Sequence, residues 1–219
     1  VIPAALPDAP STGGVDERLP LHSTTPLAWG VAVLEHPLAL LLDHAFLEKK
    51  AANNALELLT RWPDDFTPNW VHTMTAVARD EAAHLAQVTR ILLRRGGRFE
   101  RVHKNPYANS LRLLVRKGAG HEETVDRLLV SALIEARSCE RFSILASAAV
   151  VCDPELAGFY QTLYASEKGH FQIFLKLAGQ VGKPARVAER WQEMLAAEAR
   201  ILAEQPPGPR IHSGWTTTP

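Results

Sequence analysis

The sequence predicts an all-α protein, a four-helix bundle with additional helices packed on it. Three observations carry this. Apolar residues recur at helical spacing through most of residues 26–204, with no sustained strand-like alternation. The prolines of that region stand at the joints between periodic stretches, not inside them. Four of the stretches are long, and a longer connection divides them into two pairs.

The elements follow in order. Residues 1–25 hold four prolines, two adjacent glycines and several Ser/Thr, and read as an irregular arm. Thr25-Pro26 is expected to start a short helix, with Thr25 as its cap, that ends at Pro37. A long helix over about 38–61 closes at Trp62-Pro63-Asp64-Asp65. A second, about 68–95, stops at Gly96-Gly97. A basic connection carries a short amphipathic helix near 105–117, ended by Gly118-Ala-Gly120. The third and fourth long helices cover about 121–151 and 154–181, and a last helix covers about 184–204. One helical domain over 26–204 is thus expected, followed by an irregular tail over 205–219.

At 219 residues the chain can bury a substantial core, and 46% hydrophobic with 22% charged residues is a globular composition. Net charge is zero, so bulk charge selects no partner. Cys139 and Cys152 on one helix would be about 20 Å apart, too far for a disulfide, which is the cysteine usage of a reducing compartment. There is no run of 18 apolar residues and no basic-then-apolar leader, so a cytoplasmic protein with no membrane span is expected. The chain opens on Val1, which leaves the native start open.

Two of the long helices carry the same short pattern, Glu81-x-x-His84 and Glu167-x-x-His170. With 16 Glu and 9 His, chance alone gives about 0.7 such matches, and three occur. The surroundings decide which matter. Glu48 stands 33 residues before Glu81, and Glu135 stands 32 before Glu167. Each half therefore offers one Glu, a hairpin return, then Glu-x-x-His. Glu48 shares its face with Leu41, Ala45, Ala52 and Ala55, and Glu135 with Leu128, Ala132, Cys139 and Phe142. Glu81 shares a face with Met74, Val77 and Val88, and His170 with Leu163, Phe174 and Leu177.

Four carboxylates in apolar stripes cost several kcal/mol each unless positive charge lies between them. Divalent metals supply that charge. One carboxylate from each of two helices plus Glu-x-x-His from each of the others is the ligand pattern of ferritin-like di-metal proteins. Hard oxygen ligands with one His per metal favour iron, with manganese as the lesser alternative. Glu100-x-x-His103 has no apolar stripe or partner acid and reads as chance.

Other residues near the pattern read as support. His44 lies one turn before Glu48 and reads either as a hydrogen-bonding neighbour of it or as a satisfied core residue. Glu140 is a rival on the third helix, about 140° around from Glu135. It reads either as a partner of Arg137 or Arg141 or as a hydrogen-bonding neighbour of a ligand. Asp80 and Lys168 read as solvated neighbours, and Tyr160 and Tyr164 as packing residues.

Charge is unevenly distributed. Arg90, Arg94, Arg95, Arg98, Arg101, Lys104, Arg112, Arg116 and Lys117 face a single acid, Glu100, within residues 90–117. Such a run is either a solvated loop or a phosphate-binding surface, with Phe99, His103 and Tyr107 available to stack on bases.

The stretches TPLAW (25–29), DHAFLEKKAA (43–52), ARDEAAH (78–84), LIEARSCERF (133–142), SEKGHF (166–171) and HSG (212–214) resemble the bacterial tRNA 2-methylthio-N-6-isopentenyladenosine hydroxylases. LIEARSCERF is the most specific of them, because a generic bundle does not require it. The resemblance spans about residues 25–215. It implies a ferritin-like non-haem di-iron monooxygenase that hydroxylates the isopentenyl group of a modified adenosine beside the anticodon of tRNA. It places iron ligands at Glu48, Glu81, His84, Glu135, Glu167 and His170. It also implies O2 as co-substrate and a separate electron-transfer protein, in agreement with the lack of a flavin or pyridine-nucleotide fingerprint. The nine basic residues then become candidates for tRNA contact. A monomer or small homo-oligomer is expected. The alternatives are a di-metal oxidase or peroxidase, or an iron-binding protein, on the same bundle. Neither needs the basic segment.

Overall fold

The structure is a computed structural model, and it describes residues 19–63 and 67–215. The expected arm therefore falls mostly outside the described residues, as do two residues of the turn after Trp62 and the last four of the tail.

Among the described residues, seven helices appear in the expected order: α1 (Leu27–Leu34), α2 (Pro37–Leu58), α3 (Pro68–Arg94), α4 (Pro106–Arg112), α5 (His121–Ala149), α6 (Pro154–Val181) and α7 (Pro184–Ala203). Five of them begin on a proline. The first turn has no intrahelical use for an N–H, and the fixed φ of proline suits it. At the end of α3, Gly96 takes a φ of +83°, the Gly97 amide reaches the Leu92 carbonyl, and the Gly96 amide reaches Leu93. This is a Schellman turn, and the positive φ explains a glycine there.

α2 and α3 form one hairpin, and α5 and α6 the other. α1 lies against α5, and α4 and α7 pack on each other and on α5. The core is split along the bundle axis. One apolar cluster gathers Leu58, Trp70, Met74, Leu128, Leu133 and Phe174. The other gathers Leu40, Val88, Leu92, Phe142, Leu145 and Leu163. On every long helix the polar candidates fall between residues of the two clusters, so the bundle has a polar layer at mid-height.

Two expectations change. Thr25 does not cap α1, because its amide and its hydroxyl both donate to Glu140, at 2.7 and 2.8 Å. Residues 205–215 of the tail are irregular but are part of the core. Ile211, His212 and Ser213 are buried, Trp29 donates its indole N–H to the Ser213 hydroxyl, and Arg141 donates to the Ser213 carbonyl. Gly214 runs so close to Gln205 that a Cβ there would lie 1.9 Å from its carbonyl oxygen.

Candidate metal centre

The mid-height layer is built from all four long helices. α2 contributes Glu48, α3 contributes Glu81 and His84, α5 contributes Glu135, and α6 contributes Glu167 and His170. All six are buried, between 1% and 7% exposed. Within each Glu-x-x-His pair, the i, i+3 spacing puts both side chains on one helix face.

Glu48, Glu81, His84 and Glu167 each present a ligand atom within 4.8 Å of the others. His84 Nδ1 lies 3.1 Å from Glu167 Oε1 and 3.5 Å from Glu48 Oε2. His170 Nδ1 lies 2.7 Å from Glu81 Oε1 and 3.1 Å from Glu167 Oε2. The two histidines thus use the same ring nitrogen; His84 meets carboxylates from three helices and His170 from two. Glu135 joins Glu48, Glu81 and Glu167 around a small cavity of about 20 Å³.

The electrostatics of the layer favour positive charge. Burial raises the Glu135 carboxyl well above its ordinary range, and Glu81, Glu167 and Glu48 add repulsion. Burial likewise raises Glu48. Burial pulls His84 down, but Glu167, Glu48 and Glu81 outweigh it and push its pKa up to about 12. His170 is pushed up to about 10 by the same contest with Glu167 and Glu81. Glu48 Oε2, Glu81 Oε1, His84 Nδ1 and Glu167 Oε1 are buried with no hydrogen bond, despite their short separations. Close approach without hydrogen-bond alignment is what ligand atoms show when they converge on a shared ion. The donor set, four carboxylates and two imidazoles, suits a pair of hard divalent cations.

His44 supports the layer. Its Nε2 lies 2.5 Å from Glu48 Oε1. Burial drops its pKa to about 3, so the ring is neutral, and its Nε2 shares one hydrogen bond with Glu48 Oε1. The rings of Phe142, Phe159 and Tyr160 surround it. Glu140, by contrast, reaches none of the six. It accepts from Thr25 and from Arg137 at 2.5 Å, and Arg137 is clamped from its other side by Glu198. The reading of Glu140 as a neighbour of a ligand is therefore corrected, because this glutamate ties the chain before α1 to α5. Asp80 is half-buried and pairs with Arg79, with Oδ2 3.8 Å from His170 Nε2.

The basic segment is not one patch. Arg94 and Arg95 bond to Glu155, and Arg95 also bonds to Asp153, so both hold the start of α6. Arg116 is taken by Asp126 and Glu122. Arg90, Arg98, Arg101, Lys104, Arg112 and Lys117 are exposed and form no ion pair among the described residues. Two of the expected base-stacking residues are also spoken for. Tyr107 is fully buried and donates to Glu198, and His103 stacks on Phe46 and bonds to Asp43. His103 Nδ1 accepts from Lys50, which makes a chain Asp43–His103–Lys50 that the sequence reading missed. Asp43 inside the apolar run LLDHAF was the available signal, whereas nothing local in the sequence points to its partner 60 residues away.

The fold and the site together define a ferritin-like helical bundle with a buried carboxylate–histidine centre able to hold metal. Comparison with known proteins narrows this. Residues 16–213 match the family described as tRNA-(MS[2]IO[6]A)-hydroxylase (MiaE), and the chain belongs to that family. A tRNA 2-(methylsulfanyl)-N(6)-isopentenyladenosine(37) hydroxylase of Pseudomonas putida is 40% identical over 89% of this chain and 92% of its own length. The protein of the same name from Salmonella typhimurium is 28% identical over 89% and 87%. Among solved structures, protein 43 with aldehyde deformylating oxygenase activity from Synechococcus superposes with a TM-score of 0.81 at 32% identity, over 92% of this chain and all of that one. Among the described residues, no single helix is long and apolar enough to cross a membrane.

Proposed function

We propose that this protein is an O2-dependent monooxygenase that hydroxylates the isopentenyl group of 2-methylthio-N6-isopentenyladenosine beside the anticodon of tRNA. The observation that carries the reading is the convergence of four buried carboxylates and two histidines, with orphaned ligand atoms, in a member of this family. Glu48, Glu81, His84, Glu135, Glu167 and His170 would hold two iron ions. When bound, these would supply oxygen activation, drawing two electrons from a separate reductase.

The remaining roles belong to the chain itself. His44 fixes one oxygen of Glu48 through the hydrogen bond at Nε2, which leaves Oε2 turned to the centre. The stacked rings of Phe142 and Tyr160 keep water from that hydrogen bond. The two apolar clusters above and below the layer confine the chemistry to one level of the bundle. Ligand geometry is therefore set by rigid helices, which favours selective attack on one carbon of a bound alkyl group.

The structural neighbour supports one other reading, an oxygenase acting on an aldehyde or a similar apolar substrate. Anaerobic reconstitution with ferrous iron, followed by O2, a reductant and prenylated tRNA, separates the two. Digestion and mass spectrometry should show the prenylated nucleoside gaining one oxygen atom. Fatty aldehyde turnover with unchanged tRNA would overturn the proposal.

A further inference from the structure

A cleft of about 350 Å³ opens between α2, α4 and α5, and Glu135 lies in its wall. Its apolar side is formed by Leu47, Ala51, Ala108, Val130 and Ile134. Leu47, Ala51, Ile134 and Glu135 also wall the small inner cavity that reaches Glu48, Glu81 and Glu167. These four side chains are thus a thin septum between solvent and the carboxylate layer. From Leu128 to Cys139, Ile134 alone is only partly buried. Its partial exposure is exposure to this cleft.

The rim has the opposite character. Lys50, Arg112 and Lys117 stand around the mouth. Arg112 and Lys117 have no acid partner among the described residues, and Lys50 bonds to His103 Nδ1. Burial lowers the Lys50 pKa, and repulsion from Arg112 and Lys49 adds to this against the pull of Asp43, which lies on the far side of His103. Apart from Glu135, the other charged residues of the wall are already matched: Arg127 bonds to Glu123 and Glu57, and Glu57 also bonds to Arg61. Asn54 and Ser131, bonded to each other at 2.8 Å, supply the polar groups between rim and floor.

An apolar throat ending at a carboxylate centre, with unmatched cations at its mouth, suits a ligand with a short hydrocarbon arm and flanking phosphates. We propose that this cleft is where the prenylated nucleotide docks. Its alkyl arm passes between Ala51 and Ile134 towards Glu135, and Lys50, Arg112 and Lys117 grip the RNA phosphates on either side. The inference rests on the function proposed above and adds its substrate site. It also divides the expected basic surface: Arg112 and Lys117 belong to the grip, while Arg94, Arg95 and Arg116 serve the fold.

The test is binding, measured anaerobically by fluorescence anisotropy on the metal-loaded protein, with an anticodon stem-loop carrying either isopentenyladenosine or adenosine. The wild type should bind the prenylated RNA about tenfold more tightly. Ala51→Phe, which fills the throat from a half-exposed position, should erase that preference. Its metal content and its affinity for the unmodified RNA should stay unchanged. If Ala51→Phe melts early, Leu47→Trp tests the same septum. Arg112→Gln with Lys117→Gln should weaken both RNAs and flatten the salt dependence by about one unit of slope per lost phosphate contact. A preference that survives both septum variants overturns the throat, and an unchanged salt slope overturns the grip. A wild type that neither prefers nor hydroxylates the prenylated RNA removes the functional reading itself. Normal hydroxylation by Ala51→Phe, with preference intact, sinks only the assignment of this cleft.

Discussion

Glu135 and Glu140 lie one turn and a half apart on α5, both buried or nearly so, and they should fail in opposite ways. Glu140 accepts three bonds, two from Thr25 and one from Arg137, a side chain with no exposure. Removing an acceptor of this kind costs about 3 kcal/mol. In a chain of this length, Glu140→Ala should lower Tm by roughly 6–12 °C. The drop should be the same with and without metal, because Glu140 touches no candidate ligand. Glu135 makes the opposite case. It is an acid crowded by three other acids, so the metal-free protein should lose little on Glu135→Ala, and Glu135→Gln, which keeps the volume, should lose less still. Its effect should appear on loading. A metal present at 100 times its Kd stabilises the fold by about 2.7 kcal/mol, or roughly 5–10 °C. Glu135→Ala should forfeit at least one ion's share of that shift. The assay is a thermal melt with and without ferrous iron under anaerobic conditions, with metal counted per chain. If Glu140→Ala abolishes the iron-induced shift while Glu135→Ala retains it, the assignment on α5 is wrong.

Four further outcomes follow from named contacts. His44→Ala should weaken metal binding about 10–100-fold while leaving the helices intact, read by metal titration against circular dichroism. Arg95→Ala removes the clamp on Asp153, which also caps α6 through the Leu156 amide, and should cost about 1–2 kcal/mol in urea melts without altering RNA affinity. Deleting residues 211–219 strips Arg141 and Trp29 of their buried partners and should lower Tm by roughly 10 °C, where a dispensable tail would show no change. Burial raises the Asp126 pKa, but Arg116 and Arg190 outweigh it and hold the carboxyl below its usual range. Its stabilisation is therefore full above about pH 4 and fades as pH falls through the lower, folded value. The stability gap between wild type and Asp126→Asn should close on acidification below pH 4, and a gap independent of pH there would exclude the ion pairs as its source.

The fold was largely legible because its punctuation is local. Pro37, Pro68, Pro106, Pro154 and Pro184 announce helix starts, and Gly96 announces a helix end. The centre was legible for a different reason: an acid on an apolar stripe is a conflict visible within one helix, and here the conflict recurs with matching spacing in both halves. What escaped depends on distant partners. Nothing near Arg95 in sequence shows that Asp153, 58 residues on, will neutralise it. Nothing near Thr25 points to Glu140, 115 residues away. A charge count over residues 90–117 therefore overstated the free basic surface. Tyr107 looked available because the sequence does not show that α4 is pressed against α7, where Glu198 receives its hydroxyl. LIEARSCERF, the stretch that most resembles the family, proves to serve two tasks. Glu135 faces the centre, while Arg137, Glu140 and Arg141 fasten the segment before α1 and the HSG tail to the bundle.

The most direct test of the account is the metal content of the chain after anaerobic reconstitution with iron and manganese offered together. About two iron ions per chain, lost together when Glu81 and Glu167 are changed to Ala, is the predicted result. A wild-type chain that binds neither metal would contradict the central claim that the mid-bundle carboxylates exist to hold a di-metal centre.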